Sequence, residues 1–143
     1  MKKNKRGFTL IEVLVAASII AILATIGMVS YQAAGRNGRD AKRKSDLEQL
    51  RSALEIYKSD NSVYSITTSC VASDLLLNKY INPYPTDPAS NKYQYCYIQQ
   101  AALKAYILCA YLENGGNSNI AACSSQCGSG GKPGVCNYSV TNP

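Results

Sequence analysis

The hydrophobic pattern divides the chain into stretches of different character. From Phe8 to Val29, 22 residues are apolar or small, and Glu12 is the one charged side chain among them. As a helix this run spans roughly 33 Å, which matches a hydrocarbon core of roughly 30 Å, so it is long enough to cross a membrane. Further on, Leu47, Leu50, Leu54 and Tyr57 recur at spacings of three, four and three, with Ala53 and Ile56 alongside and Lys44, Asp46, Glu48, Gln49 and Arg51 polar between them. That period predicts an amphipathic helix with one stripe facing a core. The two runs are expected to join into one helix from Phe8 to about Ser59. A bend or soft spot is expected at Gly35 and Gly38, since each glycine weakens a helix by about 1 kcal/mol relative to alanine.

The distal half changes to short elements. Ser73 and Asp74 make a cap-like start before Leu75, Leu76 and Leu77, predicting a short helix over Ser73–Tyr80 that stops before Pro83. Pro83 to Asn91 is rich in residues that preset turns. Lys92–Ile98 alternates, with Tyr93, Tyr95 and Tyr97 on one face and Cys96 and Ile98 on the other, and is predicted to be a strand. Ala105–Leu112 is a second strand, and Asn137–Val140 a short third. The short connection makes the first two an antiparallel hairpin in which Cys96 and Cys109 come opposite or nearly so. The fold class is therefore α+β: a long N-terminal helix, transmembrane in one half and amphipathic in the other, packed on a small antiparallel sheet.

At 143 residues and 15.4 kDa, the chain has room for one outer domain of roughly 100 residues beyond the apolar run. The expected organisation is a basic leader over 1–7, a membrane helix over 8–29, its amphipathic continuation over 30–60, and a globular part over 61–143 with a Cys/Gly-rich C-terminal loop. The formal charge of +6 is weighted to the leader; without its four basic residues, 11 Lys and Arg face 9 Asp and Glu, a net charge of +2. Nucleic acid is not an expected partner. A basic cluster ahead of an apolar run favours a cytoplasmic N-terminus, which places everything after Val29 outside.

Cys70, Cys96, Cys109, Cys123, Cys127 and Cys136 all follow the apolar run, where an oxidising compartment permits disulfides. Three disulfides are expected; a Cys96–Cys109 bond is one choice among fifteen connectivities. A Cys-only zinc site using the CxxxC of Cys123 and Cys127 is the competing account, and the chain has no histidine to join it. The lack of histidine, the even cysteine count and the absence of paired carboxylates at suggestive spacing also argue against an enzyme. No catalytic residue, metal or cofactor is expected. Arg36, Arg39, Lys42, Arg43 and Lys44 are read as a solvated helical face, with attraction to lipid headgroups or an acidic neighbour as the alternative. The eleven tyrosines are read as amphipathic rings on a half-exposed sheet.

Glu12 carries the strongest functional signal. An ionised side chain in a membrane segment costs on the order of 3 kcal/mol, so it is expected to have a partner. Lys2, Lys3, Lys5 and Arg6, then Gly7, then Phe8-Thr9-Leu10-Ile11-Glu12-Val13-Leu14-Val15, resemble the class III signal of type IV pilins and of the pseudopilins of type II secretion and DNA-uptake systems. The resemblance implies a pilin fold and cleavage after Gly7 by a prepilin peptidase on the cytoplasmic side. It also implies N-methylation of the new Phe8 amine and a Glu12 that meets the terminal amine of a neighbouring subunit. Phe8 and Glu12 are four apart and share one helix face, about 6 Å apart along the axis. The implied pair removes two uncompensated charges from lipid. The implied partners are copies of the chain or related pilins in a helical filament, the peptidase, an assembly platform with an ATPase motor, and the cytoplasmic (inner) membrane. From that membrane the chain passes to a cell-surface or periplasmic filament, serving secretion, DNA uptake, adhesion or motility. Pilins often carry a proline just before the tyrosine corresponding to Tyr31; here there is none, and Gly27 is the candidate source of flexibility. The rival reading is a single-span anchor for an extracytoplasmic binding domain, which needs neither cleavage nor Glu12.

Thr86-Asp87-Pro88, Tyr93-Gln94-Tyr95 and Ala110-Tyr111-Leu112-Glu113 are also similar to the distal domain of major pseudopilins, which often close with an acidic calcium-binding loop. From Glu113 to Asn137 this chain has Glu113 as its only carboxylate, whereas hard cations take several charged oxygen ligands. Disulfides are expected to order the loop instead, and Asp87 is read as an Asp-Pro turn.

Overall fold

The computed structural model describes residues 7–64, 70, 77, 79–100, 104–116, 123, 127–128 and 135–142. The leader before Gly7 and most of the expected helix over Ser73–Tyr80 lie outside the described residues. Two compact units divide between Arg36 and Asn37.

Helix α1, Leu10–Asn61, contributes to both units. In the first, every side chain from Gly7 to Arg36 is exposed. Its most apolar 18-residue window has a mean hydropathy of 2.5, so α1 is long and apolar enough to cross a membrane. The expected soft spot does not interrupt it: the helix is continuous through Gly27, Gly35 and Gly38. Glycine weakens a helix through backbone entropy but keeps its N–H for the ladder. Just beyond Gly38 the backbone is also fastened, because the Asp40 carboxylate accepts hydrogen bonds from the Glu113 and Asn114 backbone N–H groups, each at 2.9 Å.

In the second unit, α1 lies against a three-stranded antiparallel sheet of order β1 (Cys96–Gln100), β2 (Ala105–Ala110) and β3 (Tyr138–Thr141). Cys96 sits opposite Cys109 and Leu108 opposite Val140. Strand alternation separates two layers. On the helix side, Leu47, Leu50 and Leu54 pack with Tyr95, Tyr97, Tyr106, Leu108 and Val140. A second cluster joins Cys96, Ile98 and Cys109 to Cys123, Cys127 and Cys136. The first strand is shifted from its expected place. Tyr93 and Gln94 pair with the cysteine-rich segment instead, Tyr93 bridging Gly128 and the Gln94 N–H donating to the Cys127 carbonyl.

Two positions between Lys44 and Tyr57 differ from the amphipathic reading. Ile56 is 53% exposed, whereas Asp46 is buried. Asp46 accepts hydrogen bonds from Tyr95 Oη at 2.8 Å and Lys42 Nζ at 2.9 Å, which compensates its removal from water. Two further buried tyrosines likewise find an acceptor: Tyr64 and Tyr106 both donate to Glu55 Oε1, at 2.9 and 3.1 Å. Tyrosine thus fills the core with ring area while its hydroxyl stays satisfied.

Candidate assembly site

Gly7, Phe8 and Thr9 precede the first helical residue. Gly7 has open space where a side chain would stand, and Phe8 is 87% exposed. The helix begins with a reciprocal cap: the Glu12 backbone N–H donates to Thr9 Oγ1 at 3.3 Å, and the Thr9 backbone N–H donates to Glu12 Oε2 at 2.8 Å. The Thr9 hydroxyl also donates to Glu12 Oε2, at 2.7 Å. This is the capping box of a T-x-x-E sequence, in which two otherwise unsatisfied N–H groups of a helix start are satisfied at once.

The cap revises the energetic picture of Glu12. The carboxylate is not bare in a single chain: its own helix start supplies two donors and the positive end of the helix dipole. A neighbour's amine would therefore compete with Thr9 or join it, rather than meet an uncompensated charge. Thr9 is the residue that reasoning from Glu12 alone overlooks, and the T-x-x-E spacing before an apolar run was the signal for it. Apolar grooves flank the carboxylate on both sides, one lined by Ile11, Val15 and Ile19, the other by Phe8, Val13 and Ile20. The first unit thus presents one capped carboxylate within a fully exposed apolar surface.

In the second unit all six cysteines are bonded: Cys70 to Cys96, Cys109 to Cys123, and Cys127 to Cys136. The Cys96–Cys109 bond, one of the choices left open by the sequence, does not form, although the two residues do face each other. Each instead binds a cysteine outside the strands. Cys123 and Cys127 are not bonded to each other, and their sulfurs are engaged elsewhere than in a zinc site.

The basic stretch after Gly35 is likewise not a uniform solvated face. Arg43 is fully buried and grips Asp87 with two hydrogen bonds, Nε to Oδ2 at 2.8 Å and Nη2 to Oδ1 at 3.1 Å. Its Nη1 donates to Asp40 Oδ1 at 2.9 Å and Glu113 Oε1 at 3.1 Å. Arg39 holds Glu113 with a second fork, both contacts at 2.6 Å. Paired forks of this kind are the strongest geometry a guanidinium offers a carboxylate. The Arg39 hydrogen bond, against an opposing effect of burial and with further help from Arg43, holds the Glu113 carboxyl down at about 2. Burial works against the charge of Arg43, yet its bonds to Asp87, Glu113 and Asp40 leave it more firmly protonated than usual. Asp87 also accepts the Ala89 N–H at 2.7 Å, so the Asp-Pro turn and the ion pair share one side chain.

Comparison with known proteins matches residues 2–28 to the family model described as the prokaryotic N-terminal methylation motif. The chain is 34% identical to the type II secretion system core protein G of Aeromonas hydrophila over 107 residues, 65% of this chain and 73% of that protein. It is 34% identical to the protein of the same name from Vibrio cholerae over 110 residues, 66% and 74% of the two chains. With the Escherichia coli K12 protein of that name the identity is 35% over 102 residues, 63% and 70%. No solved structure matches the chain.

Proposed function

The chain belongs to the pseudopilin family represented by type II secretion system core protein G, and on that premise we propose that it is a structural subunit of a pseudopilus that serves protein secretion. The observation that carries the proposal is the first unit: an exposed apolar helix that buries none of its side chains in its own fold and places Glu12 in its first turn. Such a helix needs lipid or other helices around it. Lipid serves the stored subunit and neighbouring subunits serve the filament.

In this reading the chain enters the inner membrane with its N-terminus inside. A prepilin peptidase cuts after Gly7, and the freed Phe8 amine is methylated. Glu12 then aligns with the Phe8 amine of an adjoining subunit, while the disulfide-held unit stays outside the membrane. The neighbours are further copies or related pilin-like subunits, drawn up by a motor-driven platform. The secretion role, in preference to DNA uptake, adhesion or motility, rests on the names of the relatives.

Intact-mass and N-terminal peptide analysis of the protein from sheared filaments and native membranes tests this. A chain beginning at methylated Phe8, and heavier on reduction by the hydrogens of three disulfides, is the expected result. Surface-assembled material that still begins at Met1 would overturn the filament reading and leave a membrane-anchored binding domain.

A further inference from the structure

Asp40 on α1, Asp87 in the turn ahead of β1 and Glu113 just after β2 come together around one side chain, Arg43. Three converging carboxylates form a donor set of the kind that a hard divalent cation takes, and the similarity of the distal domain to major pseudopilins implies calcium in the loop that follows. The residues do not fit that ion. Each carboxylate oxygen of the set already accepts a protein hydrogen bond. Both Asp87 oxygens are taken by Arg43, the Asp40 pair by Arg43 and two backbone N–H groups, and the Glu113 pair by Arg39 with Arg43. Beyond Glu113 the sequence reaches Pro143 with no further Asp or Glu. A calcium ion would have to displace a buried guanidinium to sit among these three carboxylates.

We infer that Arg43, assisted by Arg39, is the built-in cation of this domain and orders the Asp87 turn and the start of the loop after β2 in place of calcium. The two guanidiniums carry the same +2 charge as one divalent ion. Their planar forks also fix direction, which a spherical ion does not. A cation that is part of the chain is neither chelated nor diluted away, so the fold of the outer unit is independent of the divalent cations around it. The inference does not depend on assembly into a filament.

The test uses the full chain in detergent micelles with its disulfides intact. Thermal unfolding is followed by circular dichroism with excess EGTA and with millimolar calcium, and calcium is titrated calorimetrically. Equal midpoints and no binding heat are expected; a midpoint that falls on chelation, or a saturable calcium isotherm, overturns the inference. Arg43→Gln, which strands buried carboxylates, is expected to lower the midpoint by on the order of 10 °C in either buffer. If that variant does not accumulate, Glu113→Gln reads the more exposed edge of the same cluster and is expected to lower the midpoint by a few degrees. An unchanged midpoint in whichever variant is measured overturns the role assigned to the guanidinium.

Discussion

Cys96 and Cys109 stand directly opposite each other on β1 and β2 and are not bonded to each other. Each is tied to a cysteine outside the strands, so the pair acts as two anchor points on one patch of sheet. A bond between them would close a hairpin that the strand ladder already closes. The connectivity observed runs in consecutive pairs along the sequence.

Removing the disulfides one at a time is expected to give similar losses. The bonded residues are separated by 26, 14 and 9 positions, and loop-closure entropy grows only with the logarithm of loop length. Each bond is worth about 3 kcal/mol in that account, with about 1 kcal/mol between the longest and shortest. Paired Cys→Ser variants, compared by urea midpoint, check the expectation. Non-reducing peptide maps that link Cys96 to Cys109 would contradict the connectivity itself.

The sheet and helix were legible because period 2 and period 3.6 are local properties of the chain; the alternation of Tyr95, Cys96, Tyr97 and Ile98 places the two core layers correctly. The ion cluster was missed for a definite reason. Asp40, Arg43, Leu47, Leu50 and Leu54 form a single stripe at spacings of three and four, and all five are buried. A search for apolar residues stops at Leu47 and assigns the two charged members to solvent. Their partners, Asp87 and Glu113, lie 44 and 70 positions away from Arg43, and no local pattern links them. The disulfide pairing was hidden on the same ground, since it depends on which cysteines the fold brings together. The Thr9–Glu12 cap is legible in four residues, because a capping box is a local pattern.

Gly115 and Gly116 are expected to respond differently to the same substitution. Gly115 has φ of +86° with open space beside it, so alanine there meets only backbone strain, about 1–2 kcal/mol. At Gly116 an alanine Cβ would fall on the Asn137 carbonyl. Asn137 cannot yield cheaply, since its side chain pairs with both backbone groups of Leu112, at 2.6 and 2.7 Å. Gly116→Ala is expected to cost about 3 kcal/mol, at the upper end for overpacking. Denaturant midpoints of the two variants should rank in that order.

The reciprocal cap makes a separate prediction for the first unit. Thr9→Ala removes the hydroxyl that accepts from the Glu12 N–H and donates to its carboxylate. Cap loss is worth about 1 kcal/mol, which corresponds to roughly fivefold faster amide exchange at the helix start in micelles. Thr9→Ser should retain protection. Equal exchange in the alanine variant and the parent would show that the cap does not hold the helix start.

Stability should fall at both ends of the pH scale, for opposite reasons. Arg39 and Arg43 lower the Glu113 carboxyl from 4.5 to about 2. Asp40 is also lowered, because hydrogen bonds from the Glu113 and Asn114 N–H groups and from Arg43 outweigh its burial. A depressed native carboxyl means that the unfolded chain binds protons first as the pH drops. The contribution is therefore complete above about pH 4.5 and is lost as the pH falls toward 2. Burial instead raises the phenols of Tyr84, Tyr95, Tyr97 and Tyr106 above their ordinary 10. Above pH 10 the unfolded chain ionises while the folded one does not, so stability is intact below 10 and declines beyond it. Urea midpoints measured from pH 2 to 11 at fixed ionic strength should show a plateau between the two limbs. Glu113→Gln should flatten the acid limb and leave the alkaline one unchanged; an acid limb that persists undiminished in that variant would place its origin in other carboxylates.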